Sequence, residues 1–182
     1  MAQARRVSEH LDFVERFLHH HHETEDEMLW QKLIARADPE LQALIELMGT
    51  QHEVVAGCLQ RCLPARQAWA ATADHDAGAE LAGLYDRLAG PLLEHLDAEE
   101  TRMMPAVAKL VTVGEWAAIG EAGRSAFKGR ESLLSFGMIG AEAPPEVIAG
   151  LLGNAPRPVR FMLPRLAART YRTHLRQLRL QP

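Results

Sequence analysis

Hydrophobic residues recur every three or four positions along most of the chain, which is the spacing of one face of an α-helix. One such stripe, with polar residues opposite, predicts a long amphipathic helix from about Arg5 to Ala37. Asp38-Pro39 is typical of a helix start, because an N-cap residue is followed by proline at the first helical position. A second long helix is therefore predicted from there to about Ala71.

A third apolar stripe follows the small and polar residues 72–78 and predicts another long helix over Leu81 to Val107. Gly90-Pro91 should kink this helix, because proline lacks the amide hydrogen of the helical ladder. Beyond Leu110 the pattern predicts only shorter helices, over about 112–122, from Pro144-Pro145 and over about 158–180. We therefore expect an all-α protein, with an up-down helical bundle in residues 1–111 and a helical extension in residues 112–182.

The composition fits one globular domain with an appendage. The 182 residues are 47% hydrophobic and 24% charged, which is not the composition of a disordered chain. No apolar run is long enough for a secretory signal or a membrane span, so we expect a soluble cytoplasmic protein. Cys58 and Cys62 lie four apart in the second helix, where buried thiols in a reducing compartment are favoured over a redox pair.

Charge is distributed unevenly along the chain. The formal net charge is -4, yet the stretch from Asn154 to the end carries arginines and no acidic residue. These arginines accompany apolar residues in an amphipathic pattern: Arg157, Arg160, Arg165, Arg169, Arg172, Arg176 and Arg179. We expect this last helix to pack against the acidic bundle, with an anionic membrane or an acidic partner as the alternative; no feature indicates nucleic-acid binding.

One short sequence pattern occurs twice in the same register. In HHETEDEMLWQ, His21 is followed four residues later by Glu25, and in HLDAEETRMMP, His95 is followed by Glu99. Residues four apart project from the same helix face, and in both segments that face is the apolar one. A buried carboxylate costs several kcal/mol unless it is paired or binds a metal. Since no lysine or arginine shares these stripes, a metal ion is the better candidate.

A third histidine, His52, lies on the apolar stripe of the second helix. Counted along the helices from the connecting turns, His21, His52 and His95 fall at the same height in an antiparallel bundle. Nitrogen and carboxylate ligands suit iron, manganese or zinc, and two carboxylates favour two metal ions, with iron the first choice. The predicted metal ligands are His21, Glu25, His52, His95 and Glu99. His22 is a candidate outer contact, while His19, His20 and Asp26 are expected on solvated faces.

These residues resemble the hemerythrin-like, HHE cation-binding family over about residues 8–110. Members carry a histidine on the first helix, H-x-x-x-E on the second, one or two histidines on the third and H-x-x-x-E or H-x-x-x-x-D on the fourth. By position, His21 and Glu25 match the second-helix pair, His52 the third-helix histidine, and His95 and Glu99 the fourth-helix pair. The resemblance implies a hemerythrin-like bundle in which both glutamates bridge two irons.

The chain departs from the family pattern in two ways. Ala56 stands where hemerythrins place a second histidine on the third helix, and the first helix with its histidine is missing. His52 and His95 would then hold one iron, while His21 would hold the other almost unaided, which predicts a weak second metal position. An upstream start, a second copy, a partner protein or the C-terminal helix would cover the gap, unless the chain is a degenerate relative.

The resemblance implies reversible binding or sensing of O2 or a related small oxidant. The alternative is a regulatory or scaffolding helical module, partly or wholly metal-free, which uses its basic C-terminal helix to bind a partner. A non-enzymatic role is favoured over a di-iron peroxidase-like activity, because no general acid or base is identifiable outside the ligand set.

Overall fold

The computed structural model describes residues 1–153 and 155–179, and every regular element within these ranges is a helix. The predicted all-α class is therefore confirmed. The chain forms two compact units, Met1–Gly123 and a second unit that begins at Arg124. Leu180, where the last helix was predicted to end, lies outside the described residues.

The first unit contains the three predicted long helical elements and all but the last two residues of one shorter helix. Their bounds are α1 Ala2–Thr24, a first π-helical turn Glu25–Leu29, α2 Trp30–Ile34, α3 Pro39–Thr72, α4 His75–Ala98, a second π-helical turn Glu99–Met103, α5 Met104–Leu110 and α6 Val113–Ser125. The two π turns lie within continuous helical segments, so α1 leads through the first turn into α2, and α4 through the second into α5.

The helix ends follow the signals in the sequence. Asp38 caps α3, since its Oδ1 accepts a hydrogen bond from the Leu41 amide at 2.9 Å, and Asp74 caps α4 in the same way. Ala73 adopts a left-handed conformation with φ 53° and ends α3. The α4 helix contains Pro91 and extends seven residues beyond it to Ala98, where the second π turn begins.

Among the described residues of the first unit, two apolar clusters lie on either side of a layer of histidines. The first cluster consists of Leu29, Trp30, Leu33, Leu41, Leu44, Ile45, Met48, Ala98, Met103, Val107 and Ile119. The second is formed by Val55, Cys58 and Leu88, with Leu18, Leu59, Tyr85 and Leu92 packed against them. On α3, His52 lies between Met48 of the first cluster and Val55 of the second. The site is therefore held between two blocks of packed side chains.

The structure places residues 112–123 in the first unit, whereas the sequence suggested a boundary at 111. Ile119 of α6 is buried in the first apolar cluster. Arg36 donates hydrogen bonds to both carboxylate oxygens of Glu115, at 2.9 and 2.7 Å, and to the Leu110 carbonyl at 2.6 Å. These contacts hold α6 against the other helices of the first unit up to Gly123.

The second unit contains α7 Arg130–Glu142, α8 Pro145–Leu151 and α9 Arg157–Leu178. The α7 helix was not predicted, because its glycines and serines are weak helix formers. At position 137 of α7 the structure requires glycine, because a Cβ there would lie 2.5 Å from the Ala167 carbonyl oxygen and 2.8 Å from the Tyr171 Cβ. The backbones of α7 and α9 therefore approach each other closely at Gly137.

Candidate metal centre

Three histidine rings, one from each long helical element, meet in the layer between the apolar clusters. The rings of His22 and His52 stack at 4.0 Å, with an angle of 8° between their planes. His95 meets both rings edge-on, at 4.7 Å from His52 and 5.0 Å from His22. All three side chains are buried, and each offers a ring nitrogen within 4.8 Å of the other two. We call these residues the histidine trio.

His21, Glu25 and Glu99 form a second group beside the trio. Their ligand atoms also lie within 4.8 Å of one another. The Glu25 side chain is 7% exposed and that of Glu99 is 13% exposed, whereas His21 is 39% exposed. This group, which we call the rim group, therefore joins a buried carboxyl, Glu25, and a largely covered one, Glu99, to one histidine that reaches solvent.

The two glutamates of the rim group lie between His21 and the histidine trio. Glu25 directs one oxygen to each side, with Oε1 3.6 Å from His21 Nε2 and Oε2 3.5 Å from His52 Nε2. Glu99 Oε2 lies 3.9 Å from His95 Nε2 and 4.0 Å from His21 Nε2. Each of the two carboxyls therefore lies between His21 and a histidine of the trio.

The polar atoms at the centre fit a metal ion. Five of them are buried without a hydrogen-bond partner: His22 Nε2, Glu25 Oε2, His52 Nε2 and both ring nitrogens of His95. Unsatisfied buried polar atoms are rare and each costs on the order of 1–3 kcal/mol. Ligands about 2.0–2.2 Å from a metal lie about 3–4 Å apart, close to the separations between these groups. A cation among them would satisfy the unpaired atoms.

Burial determines which groups carry protons when no cation is present. It raises the pKa of Glu25 to about 9, with the nearby Glu99 carboxyl as the next cause, and it also raises the pKa of Glu99. Burial lowers the pKa of His22 to about 3 and that of His95 to about 4. At neutral pH the trio is therefore neutral with its lone pairs available, and the carboxyl pair holds a proton that a cation can replace.

Asp26 is a site residue that the sequence did not identify. Its side chain is 46% exposed, in line with the expected solvated face, and its Oδ1 also lies 2.9 Å from His52 Nδ1. A carboxylate on Nδ1 fixes the ring so that Nε2 points into the centre, as is common for metal-binding histidines. His22 and Asp26 are four residues apart, so they repeat the spacing of His21 and Glu25 one position later. That interleaved pair was the available signal.

The structure places His22 inside the centre, whereas the sequence suggested an outer contact. Neighbouring residues on a helix differ by about 100° in direction, and a helix with partners on two sides buries an arc at least that wide. His22 consequently enters the trio and His21 enters the rim group. His19 pairs with the exposed Glu23 at 3.1 Å, and His20 Nε2 lies 3.3 Å from the Ala122 carbonyl of α6.

All five predicted ligands thus lie in one layer, together with His22. A helical bundle with a buried histidine and carboxylate cluster is a candidate metal-binding bundle. The family model described as hemerythrin HHE cation binding domain matches residues 1–107, so the chain belongs to this family. The predicted resemblance to the hemerythrin-like family is therefore confirmed, and membership of this family indicates that the chain binds a metal cation.

No curated protein and no solved structure matches the chain. Within the described residues, none of the helices has the length and hydrophobicity needed to cross a membrane.

Proposed function

We propose that the centre holds two iron ions and reversibly binds O2 or a related small oxidant. The observation that supports this most strongly is the set of unpartnered buried nitrogens of the histidine trio, which lie beside the unpartnered Glu25 Oε2 of the rim group. The histidine trio would hold one iron and His21 the other. Glu25 and Glu99 lie between these two metal positions and are available to both. Manganese or zinc would fit the same donor types.

The two metal positions differ in the donors available to them. The trio offers three imidazoles in addition to the two carboxylates, whereas the rim group offers only His21 with the same carboxylates. We therefore propose that the rim position is the weaker one. It is also the more accessible one, because His21 is 39% exposed, and a small oxidant would enter on that side.

The surroundings favour binding over catalysis. When bound, iron supplies an open coordination position and a reversible one-electron change to a small oxidant. Four imidazoles against two carboxylates give the metals little negative charge, which disfavours highly oxidised states. The chain's own part is to hold the ligands between two apolar clusters, to keep bulk water from the trio and to give up the proton of the Glu25 and Glu99 carboxyls when a cation binds.

The experiment is metal analysis of the purified chain after anaerobic loading with iron(II) and removal of free metal. We expect close to two irons per chain, and an absorption spectrum that changes in air and returns when O2 is removed. His22→Ala should lose the iron of the trio, whereas His19→Ala, which alters an exposed histidine in the same run, should retain the parent's content. Equal iron in His22→Ala and the parent would contradict the assignment of His22.

A metal-free regulatory module remains the second candidate, and the basic face of α9 is the observation that favours it. Near-zero iron after loading, together with an unchanged helical circular dichroism spectrum, would support this candidate over the first. An iron-dependent peroxidase activity with a bell-shaped pH profile would instead support the third hypothesis, a di-iron enzyme with peroxidase-like activity.

A further inference from the structure

The α9 helix carries two apolar faces that point in different directions. One face contacts α7, with Ala167 and Leu178 buried and with Gly137 of α7 close to the Ala167 carbonyl. The other face presents Val159, Met162 and Leu166, which are 41%, 54% and 47% exposed. Because their spacing is i, i+3 and i+7, these three side chains form one continuous stripe along the helix.

Arginines adjoin this exposed stripe. Arg165, Arg169, Arg172 and Arg176 follow one another at intervals of three or four, and all four are exposed. The Arg165 guanidinium lies 3.6 Å from the centre of the Phe161 ring, which is itself 61% exposed. The last acidic residue of the chain is Glu146, so the sequence from α9 onward contains no carboxylate side chain that could neutralise the arginines.

We propose that this outer face of α9 binds the surface of an anionic phospholipid bilayer, with the helix axis parallel to the membrane plane. A helix of this kind places its apolar residues at the boundary between headgroups and acyl chains, about 5–10 Å deep, while its cations contact lipid phosphates. Here Val159, Met162 and Leu166 would enter the boundary and the arginines would pair with phosphates. The binding is independent of the metal centre proposed above.

The geometry of the second unit favours a bilayer over a protein partner. An acidic protein that recognises a basic amphipathic helix generally takes its apolar face into a groove and surrounds much of the helix. On α9, the face with Ala167 and Leu178 already packs against α7, so only the outer arc is available. The exposed stripe and the arginines lie side by side on this outer arc of α9. A flat anionic surface can therefore contact both without displacing α7.

Co-sedimentation of the full chain with lipid vesicles tests the proposal. We expect binding to vesicles of about three parts phosphatidylcholine to one part phosphatidylglycerol, weak or no binding to phosphatidylcholine alone, and weaker binding at higher salt. Arg169→Gln with Arg176→Gln should lower the partition coefficient about 25-fold, since each arginine near an anionic surface contributes about fivefold. Met162→Ser with Leu166→Ser should lower it about tenfold or more, because the apolar contribution is lost.

The matched control is Arg5→Gln with Arg6→Gln, which removes the same charge from exposed positions of α1 and should change binding no more than about twofold. Because the chain already has three tryptophans, Leu166→Trp is compared with the parent: it should show an additional blue shift of the emission with anionic vesicles and not with polyglutamate, which reports insertion rather than charge pairing.

Three outcomes would overturn the proposal. They are absence of binding to anionic vesicles at low salt, equal loss in the α1 control, and a dimer in solution that Met162→Ser with Leu166→Ser dissociates. The last would assign the stripe to self-association.

Discussion

At the residue scale, two consecutive histidines have different positions in the centre. His22 enters the buried trio and His21 the rim group, and each is followed four residues later by a carboxylate, Asp26 and Glu25 respectively. Counting along the helices predicted His52, and the spacing that the sequence repeats at His95 and Glu99 was sufficient to predict the other four expected residues of the layer. It could not identify Asp26, because the acceptor role of this residue depends on where α3 places His52.

Asp26→Asn should weaken metal binding without unfolding the protein. The amide loses the negative charge that holds the His52 ring, and loss of such a partner typically lowers metal affinity about 10–100-fold. Competition with a chelator measures the affinity. Glu27→Gln is the matched control, because Glu27 is exposed in the same π turn and should leave the affinity unchanged. Equal affinities for Asp26→Asn and the parent would show that Asp26 does not position His52.

Metal uptake should release a proton from the glutamate pair. The pKa of Glu25 is raised to about 9, so the carboxyl is protonated at pH 8 and must ionise to bind a cation. Affinity should therefore rise as pH increases toward 9. The trio contributes no proton in this range, because burial lowers the pKa of His22 to about 3 and that of His95 to about 4.

Calorimetry with manganese(II) in two buffers of different ionisation enthalpy measures this release. We expect about one proton per chain at pH 8, and a smaller release for Glu25→Gln. Release near zero at pH 8 in the parent chain would mean that the glutamate pair holds no proton there.

At the element scale, a π-helical turn begins at the glutamate of each histidine–glutamate pair, at Glu25 in the first pair and at Glu99 in the second. The Glu25 carbonyl accepts a hydrogen bond from the Trp30 amide, and the Glu99 carbonyl accepts one from the Met104 amide, five residues on in each case. Such turns occur frequently at functional sites. The sequence predicted a kink at Gly90-Pro91, because proline is a local signal, but it did not predict the π turns, which depend on packing across the bundle.

The contact of α7 with α9 gives a prediction at the same scale. Gly137→Ala should destabilise the second unit by about 1–3 kcal/mol, because the added methyl would overlap the Ala167 carbonyl and the Tyr171 Cβ. Gly140→Ala is the matched control: its Cβ would lie 3.9 Å from the nearest side-chain atom, so it should be neutral or stabilise by up to about 1 kcal/mol. Urea unfolding followed by circular dichroism compares the two, and equal midpoints would contradict the close approach.

At the scale of the whole molecule, the hydrophobic pattern was sufficient to predict the all-α class and the three long helical elements. The α7 helix was missed because Gly137 and Gly140 are poor helix formers, and packing against α9 outweighs that preference. The attachment of α6 also depends on distant partners, since Arg36 and Glu115 are far apart in sequence. Contacts of this kind have no local signal, so the limits of each unit required the structure.

The centre also joins the parts of the first unit. Its six candidate ligands come from α1, the two π turns, α3 and α4, so a cation that binds them favours the folded arrangement over the unfolded chain. Metal at 100 times its Kd should raise the unfolding free energy by about 2.7 kcal/mol. That increase corresponds to about 5–10 °C in Tm for a chain of this size.

Thermal unfolding with and without manganese(II) measures this coupling. Glu99→Gln should remove most of the shift, because Glu99 lies between both metal positions, whereas Glu100→Gln, at an exposed neighbour, should keep it. A variant that unfolds earlier than the parent without metal, yet gains the same number of degrees when metal is added, has lost packing and not a ligand. The shift upon metal addition therefore separates the ligand role of Glu99 from a purely structural one.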